Sequence, residues 1–310
     1  MSETNYDLVI IGGGPAGLTA GIYAARARLN AVVVEKMAAG GQVLMSDWIE
    51  NYPGFPEGIS GADLMMRMSD QASHLGVTLE YEEITAVDLT DPVKILTLGD
   101  KTITCKAVII ATGASPNRLN VPGEERFIGR GISFCATCDA PFFRDKVVAA
   151  VGGGDTAVQE SLFLTKFAKK VYLIHRRDAL RATRILQERA FENKKIEFVW
   201  DSVVTEIGGG LTNVEKVTVK NVKTEETRDL AVDGCFMWVG IHPNADFLAG
   251  AVDTDKGGFI LTDQAMATSV PGVFAAGDVR ATPLRQIATS VGDAAIALHS
   301  AEAYIESMGN

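Results

Sequence analysis

The sequence predicts an α/β fold of two Rossmann-like nucleotide-binding domains of the three-layer ββα type, the second inserted into the first. Three observations carry this. A strand, a glycine-rich turn, a helix and a second strand fill the first 35 residues, from "DLVIIG" to "NAVVVEK". The same order returns in "DKVVAAVGGGDTAVQESLFLTKFAKKVYLIHRR", with matched spacing: Glu35 stands 23 residues after Gly12, and His175 stands 23 after Gly152. A further short apolar strand, "VFAAGD", follows the second unit, so residues 245–310 are read as returning to complete the first domain. The expected boundaries are 1–113 and 245–310 for the first domain and 114–244 for the second.

Each element has a local cause. "DLVIIG" is almost continuously apolar, as a parallel strand buried on both faces requires. "PAGLTAGIYAARAR" is a helix with Pro15 in its first turn, where a missing N–H is not needed. "NAVVVEK" is a second buried strand. From there to the second unit, and again after it, the texture is β-rich: "VTLEYEEITAVDL", "ILTLGDKTITCKAVIIATG" and "VEKVTVKNVK" read as strands joined by tight turns. "RQIATSVGDAAIALHSAEAYIESM" is a closing helix with small residues on one face.

Composition narrows the class. The 310 residues carry 29 Lys+Arg against 39 Asp+Glu, a formal charge of −10, which repels polyphosphate and argues against nucleic-acid binding. Four cysteines cannot make a disulfide scaffold at this length. The uncharged run between Asp7 and Arg26 approaches the length of a membrane span, but Gly12, Gly13, Gly14, Pro15, Gly17 and Gly21 break it into strand, turn and helix. An acidic N-terminus argues against a secretory signal. A soluble intracellular protein is expected.

Gly12, Gly14 and Gly17 form Gly-x-Gly-x-x-Gly at the first strand-to-helix junction. The glycines permit a tight turn, close approach of backbone to a pyrophosphate, and close packing of helix on strand. The helix start offers free N–H groups to the anion. Glu35, ending the second strand, is placed to accept hydrogen bonds from a ribose 2′-OH. The bland alternative is a glycine-rich turn without a ligand. Gly152, Gly154 and Ala157 repeat the motif, but His175 replaces the acid and Arg176, Arg177, Arg181 and Arg184 follow. Arginine grips a 2′-phosphate that an acid would repel. This half is therefore expected to take NADPH rather than NADH; the alternative is a solvated basic helix start.

"CATCD" places Cys135 and Cys138 within reach of a reversible disulfide, and such a pair near a βαβ pattern points to redox chemistry. Zinc fails on ligand count. Cys105 and Cys235 are isolated, and His74, His175, His242 and His299 form no spaced pair, so no metal is expected. Cys105 and Cys235 read as core. Asp139 would relay a proton to or from a leaving thiolate if burial raises its pKa, or else it caps a turn as a surface acid. Two nucleotide sites and a dithiol suggest a two-electron path from nicotinamide to disulfide.

The order and spacing of "IGGGPAGLTAGIYAAR", "ATGA", "CATCD", "GGGDTAV", "HRRDALRA" and "GVFAAGDV…RQIATS" resemble the low-molecular-weight, bacterial-type thioredoxin reductases, a class of pyridine nucleotide-disulfide oxidoreductases, over essentially the whole chain. The resemblance implies tightly bound FAD, contacted by Gly12, Gly14, Pro15, Ala16, Gly17, Glu35, Lys36, Gly40, Gly41, Gln42, Asn51, Ala111, Thr112, Gly113, Gly277, Asp278, Arg285, Gln286 and Ile287. It implies NADPH held by Gly152, Gly153, Gly154, Asp155, Thr156, Ala157, His175, Arg176, Arg177 and Arg181. It also implies a catalytic Cys135–Cys138 redox disulfide, a cytoplasmic homodimer, and thioredoxin as protein substrate. Because the dithiol and the NADPH site share the inserted segment, a rotation about crossings near Gly113–Pro116 and Gly240–Asn244 is expected.

Two positions depart from the family: Ala140 followed by Pro141 where Gly is usual after "CATCD", and Gln159 where an acid is common. The nearest alternative is a related NADPH–flavin dithiol reductase serving another small redox protein. Ferredoxin-NADP reductases of this fold lack the cysteine pair, and a non-catalytic redox sensor would lack the dithiol or the phosphate grip.

Overall fold

Strand β1 (Thr4–Ile11) is apolar on both faces because each face meets a different core. Leu8 and Ile10 pack with Ala16, Ala20 and Ala24 of α1 (Pro15–Arg26), while Val9 and Ile11 enter a second cluster on the opposite face. In β2 (Ala31–Glu35), Val33 faces the helices and Val32 and Val34 face the other layer. Each such side chain contributes about 1.5–3 kcal/mol on burial, so a polar residue on either face would be costly. The computed structural model describes residues 4–46, 48–90 and 92–309. β3 (Thr78–Tyr81) extends the parallel sheet beside β2. β4 (Ile84–Asp88), β5 (Lys94–Leu98) and the first half of β6 (Lys101–Ile110) form an antiparallel meander, whose Ile84, Leu96, Leu98 and Ile103 build the second cluster.

The β-rich reading missed one element ahead of β3. α2 (Gly61–His74) starts at Ser60, whose hydroxyl accepts the Asp63 N–H at 3.0 Å, and it buries Leu64, Met65, Met68 and Ala72. That spacing is a helical stripe, and it pays no attention to the strand-like residues that follow it.

The chain then crosses through β7 (Ala114–Pro116) into the inserted unit. After the short α3 (Glu124–Phe127) come β8 (Ile132–Ser133), the four-residue α4 (Ala136–Asp139) and β9 (Val147–Val151). α5 (Asp155–Leu164), β10 (Lys170–Ile174), α6 (Arg184–Glu192) and β11 (Ile196–Val199) continue the βαβ pattern. β12 (Ser202–Gly209), β13 (Val214–Asn221) and β14 (Thr227–Ala231) form a separate antiparallel sheet, and β15 (Gly234–Met237) returns to the parallel one, ordered β11-β10-β9-β15-β8. Val148, Ala150, Leu173 and Phe236 pack against the helices; Ala149, Val151, Ile174 and Met237 pack against the antiparallel sheet. Both units are thus built of the same three layers.

β16 (Ile241–Pro243) pairs with β7 as the chain crosses back, and β17 (Val273–Ala275) joins the end of β6 in parallel. α7 (Ile287–Met308) closes the first unit, its Ala294, Ala297 and Ala301 sharing a core with the alanines of α1. The chain divides into Met1–Ser115 with His242–Asn310, and Pro116–Ile241. The crossings therefore fall after Ser115 and Ile241, within the expected spans Gly113–Pro116 and Gly240–Asn244, and two or three residues from the expected unit bounds at 113 and 244. Asn244 accounts for the shift. Its backbone N–H donates to Gly113 O at 3.0 Å, its side-chain Nδ2 donates to Thr112 O at 2.9 Å, and its side-chain Oδ1 accepts the Ser115 hydroxyl at 2.9 Å. These bonds keep Ser115 and Asn244 with the first unit.

Candidate active site

Each unit carries one strand–turn–helix junction, and the two are built alike. Gly12 N–H donates to Val34 O at 2.8 Å, and Gly152 N–H donates to Ile174 O at 3.1 Å. The φ angles of Gly12 and Gly152, +105° and +148°, lie in the region that favours glycine. α1 and α5 start after Gly14 and Gly154, which offer no side-chain cap and leave open space where a Cβ would stand. Uncapped N–H groups in an open cradle fit a pyrophosphate. The third position differs: a Cβ on Gly17 would collide with Gly12 O, whereas Ala157 is accommodated and buried.

In the first unit Glu35 ends β2 with both oxygens engaged. Oε2 accepts the Gly13 N–H at 2.8 Å and Oε1 the Met37 N–H at 3.0 Å. Gly40 N–H donates to Gly13 O at 2.8 Å, Gly41 lies beside Gly14, and Gly277 lies against Ala16 and Ser290. Ala111 meets Gly12, and Pro15 opens α1. Asn51 donates to the Gln286 side chain at 3.0 Å, just before Ile287 begins α7. Burial pushes the Asp278 carboxyl above its usual range, against the pull of Arg285 and a Ser290 hydrogen bond. Arg285 lies over the Phe259 ring at 4.1 Å. A buried carboxyl, a stacked guanidinium and an open N–H cradle suit a polar, anionic dinucleotide. Four sequence candidates are engaged elsewhere or uncommitted. Thr112 and Gly113 bond Asn244 at the crossing, Lys36 faces Glu83 at 4.0 Å, and Gln42 is exposed.

In the second unit His175 takes the place of Glu35 and packs against Gly153, where a Cβ would strike the imidazole. The ring is buried, and its Nε2 has no hydrogen-bond partner. Burial first, then the charge of Arg181, with Arg177 and Arg176 adding less, lowers the His175 pKa. The loop that follows folds back on the glycine turn: Arg181 and Ala182 N–H donate to Gly153 O at 2.7 and 3.2 Å, and Thr183 N–H donates to the Asp155 carboxylate at 2.6 Å. Thr156 follows Asp155 in the first turn of α5. Asp178, the acid among these arginines, is drawn to Lys223 at 2.9 Å. An arginine cluster around an unsatisfied buried imidazole fits a phosphate.

The dithiol lies in the second unit. Cys135 and Cys138 form a disulfide with Cα atoms 5.4 Å apart, and both residues are half-buried. Cys135 caps α4; its N–H donates to Ser133 Oγ at 3.1 Å, and its Sγ lies 3.3 Å from Thr137 Oγ1. Asp139 is half-buried and donates its N–H to Cys135 O at 3.2 Å. Ala140 is fully buried, so its methyl is part of the packing beneath the turn, and Pro141 follows it into a short 3₁₀ turn. Sequence reading missed Glu160, half-buried on α5, whose carboxyl burial pushes above its usual range. An acid spaced three after Ala157 and four before Leu164, on the helix's buried stripe, was the available signal. Cys105 and Cys235 are buried, and burial pushes each thiol up to about 12, so both are unreactive. Among the described residues no cluster of His, Cys, Asp and Glu could hold a metal, and no helix is long and apolar enough to cross a membrane.

Comparisons with known proteins agree with this arrangement. The family described as pyridine nucleotide-disulphide oxidoreductase matches residues 6–297. The chain is 46% identical to a thioredoxin reductase of Treponema pallidum, over 99% of this chain and 100% of that one. It superposes on the crystal structure of thioredoxin reductase from Streptococcus pyogenes with a TM-score of 0.93 at 48% identity, covering 99% of this chain and 100% of the other. Thioredoxin reductase from Lactococcus lactis in its FR conformation gives 0.68 at 45% identity, covering 97% and 99%. A family match across almost the whole length, with two glycine junctions and a Cys-x-x-Cys disulfide in the matched region, places this chain in the pyridine nucleotide-disulphide oxidoreductase family.

Proposed function

We propose that the protein is an NADPH-dependent, FAD-containing thioredoxin reductase. The observation that carries this is the Cys135–Cys138 disulfide in a chain whose two junctions end in opposite charges, Glu35 and the His175–Arg181 cluster. FAD is assigned to the first junction, with Glu35 on a ribose hydroxyl and the start of α1 at the pyrophosphate. Asp278, Arg285, Gln286 and Asn51 complete its polar contacts. NADPH is assigned to the second, with Arg176, Arg177 and Arg181 on the 2′-phosphate and Gly152–Ala157 on the pyrophosphate. Bound flavin would supply two-electron transfer between nicotinamide and disulfide.

This chain's own part begins when the Cys135–Cys138 bond opens. One sulfur is released as a thiolate and the other takes a proton, with Asp139 assigned to that proton. The thiolate attacks the disulfide of oxidised thioredoxin, forming a mixed disulfide that the second cysteine resolves. Since the dithiol and the second junction share one unit, that unit is proposed to rotate about β7 and β16 between half-reactions. The solved Lactococcus lactis relative, described as an FR conformation and scoring 0.68 against 0.93 for the Streptococcus pyogenes one at similar identity, supports this. Relatives named thioredoxin reductase support thioredoxin as the acceptor, and the family likeness supports a cytoplasmic homodimer. NADPH oxidation that depends on oxidised thioredoxin is the expected result; no stimulation by thioredoxin would contradict the assignment. Cross-linking the two units should abolish turnover while sparing one half-reaction, and full activity would refute rotation.

A further inference from the structure

Resting on the reading above, we propose that Asp155 is a positioning residue whose carboxylate holds the Arg181 loop on the second glycine turn and so sets the preference for a 2′-phosphorylated nucleotide. The loop between β10 and α6 meets that turn through three consecutive backbone N–H groups. Arg181 and Ala182 donate to Gly153 O at 2.7 and 3.2 Å, and Thr183 donates to Asp155 Oδ1 at 2.6 Å. From the other side the Gln187 side chain of α6 donates to Ala182 O at 2.7 Å. Leu180 and Ala182 are buried and Arg181 between them is exposed, so the backbone is pinned while the guanidinium stays available to a ligand.

The first junction shows why an acid stands at this position. At the start of α1 the matching residue is Pro15, which has no side-chain acceptor, and the loop is held from the strand tip, where Glu35 Oε1 accepts the Met37 N–H at 3.0 Å. In the second unit the tip is His175, and Arg176 and Arg177 follow it directly. The anchoring carboxylate has moved to the helix start, which leaves the tip beside the arginines free of one. Asp178, the other acid of the loop, is paired with Lys223 at 2.9 Å. A guanidinium on a loose loop loses ordering entropy when it grips a phosphate; one on a pinned loop loses less, and only a ligand carrying that phosphate gains. The two things Asp155 could do have opposite signs. Its charge alone would repel a nucleotide, whereas positioning strengthens binding of the phosphorylated one.

The test is calorimetric titration of the flavin-loaded, full-length protein with NADP+ and with NAD+, which bind without turnover. The wild type should bind NADP+ more tightly than NAD+. Asp155→Ala should weaken NADP+ about tenfold, the order of effect of one hydrogen bond to a charged group, and leave NAD+ nearly unchanged. Asp155→Asn, which keeps an oxygen acceptor and loses the charge, should restore most of that loss. Unchanged or tighter NADP+ binding in D155A, equal losses for both nucleotides, or a D155N as weak as D155A would overturn the proposal. Amide hydrogen exchange of the nucleotide-free protein reads the clamp itself. Thr183 should be protected in the wild type and exchange faster in D155A; solvent-like exchange in the wild type would overturn the proposal as well. A wild type that binds the two nucleotides alike would refute the NADPH assignment, and this proposal with it, before any variant is made.

Discussion

The two glycine junctions share a backbone and differ in what stands at the tip of the second strand. In each, the middle glycine packs against that tip residue, Glu35 or His175, and its carbonyl accepts an N–H from the loop beyond, Gly40 or Arg181. The shared part is the anion platform, set by glycine geometry and a helix start. The differing part is charge. Glu35 accepts one loop N–H on each oxygen, while the second tip is a buried imidazole whose pKa is lowered by burial and by the charges of Arg181, Arg177 and Arg176. One architecture can therefore serve two nucleotides, with a few side chains deciding which. Only the second unit also carries the dithiol.

Breaking that last asymmetry should have the largest effect. Cys138→Ser is expected to abolish thioredoxin reduction while NADPH still bleaches the flavin; surviving turnover would remove the pair from the electron path. The charge difference comes next. Arg181→Ala should lower kcat/KM for NADPH roughly ten- to hundredfold, since a charge-assisted hydrogen bond contributes about 1.5–3 kcal/mol. NADH kinetics should hardly change, and equal losses with both would make Arg181 structural.

The third glycine position sharpens the geometric side. Gly17→Ala should destabilise the holoprotein by about 1–3 kcal/mol in urea unfolding through the clash with Gly12 O, and release flavin. Ala157→Gly at the matching site should lose only about 0.5–1 kcal/mol. The smallest effect is a pH dependence. The fold lowers the His175 pKa, so the unfolded chain binds that proton more readily and stability falls as pH drops through the unfolded value near ~6.5. The stabilisation is fully present above that value. His175→Gln should flatten this part of the urea-midpoint profile.

Much of this was legible before the structure. The glycine motifs, their equal spacing to Glu35 and His175, and the cysteine pair are local features whose residue types state their chemistry. The buried strands were equally plain, because parallel strands covered on both faces leave long apolar runs. What stayed hidden depends on tertiary contact. α2 was masked by its mixed composition. The unit bounds lie two or three residues from those expected because Asn244 bonds Thr112, Gly113 and Ser115 from far along the chain.

The central claim is that one electron path joins nicotinamide, flavin and the Cys135–Cys138 disulfide. Anaerobic titration with NADPH, followed by flavin absorbance, tests it most directly. The account predicts about two NADPH per flavin before bleaching is complete, because flavin and disulfide each take two electrons. An end point near one equivalent would leave the cysteines outside the path and contradict the account.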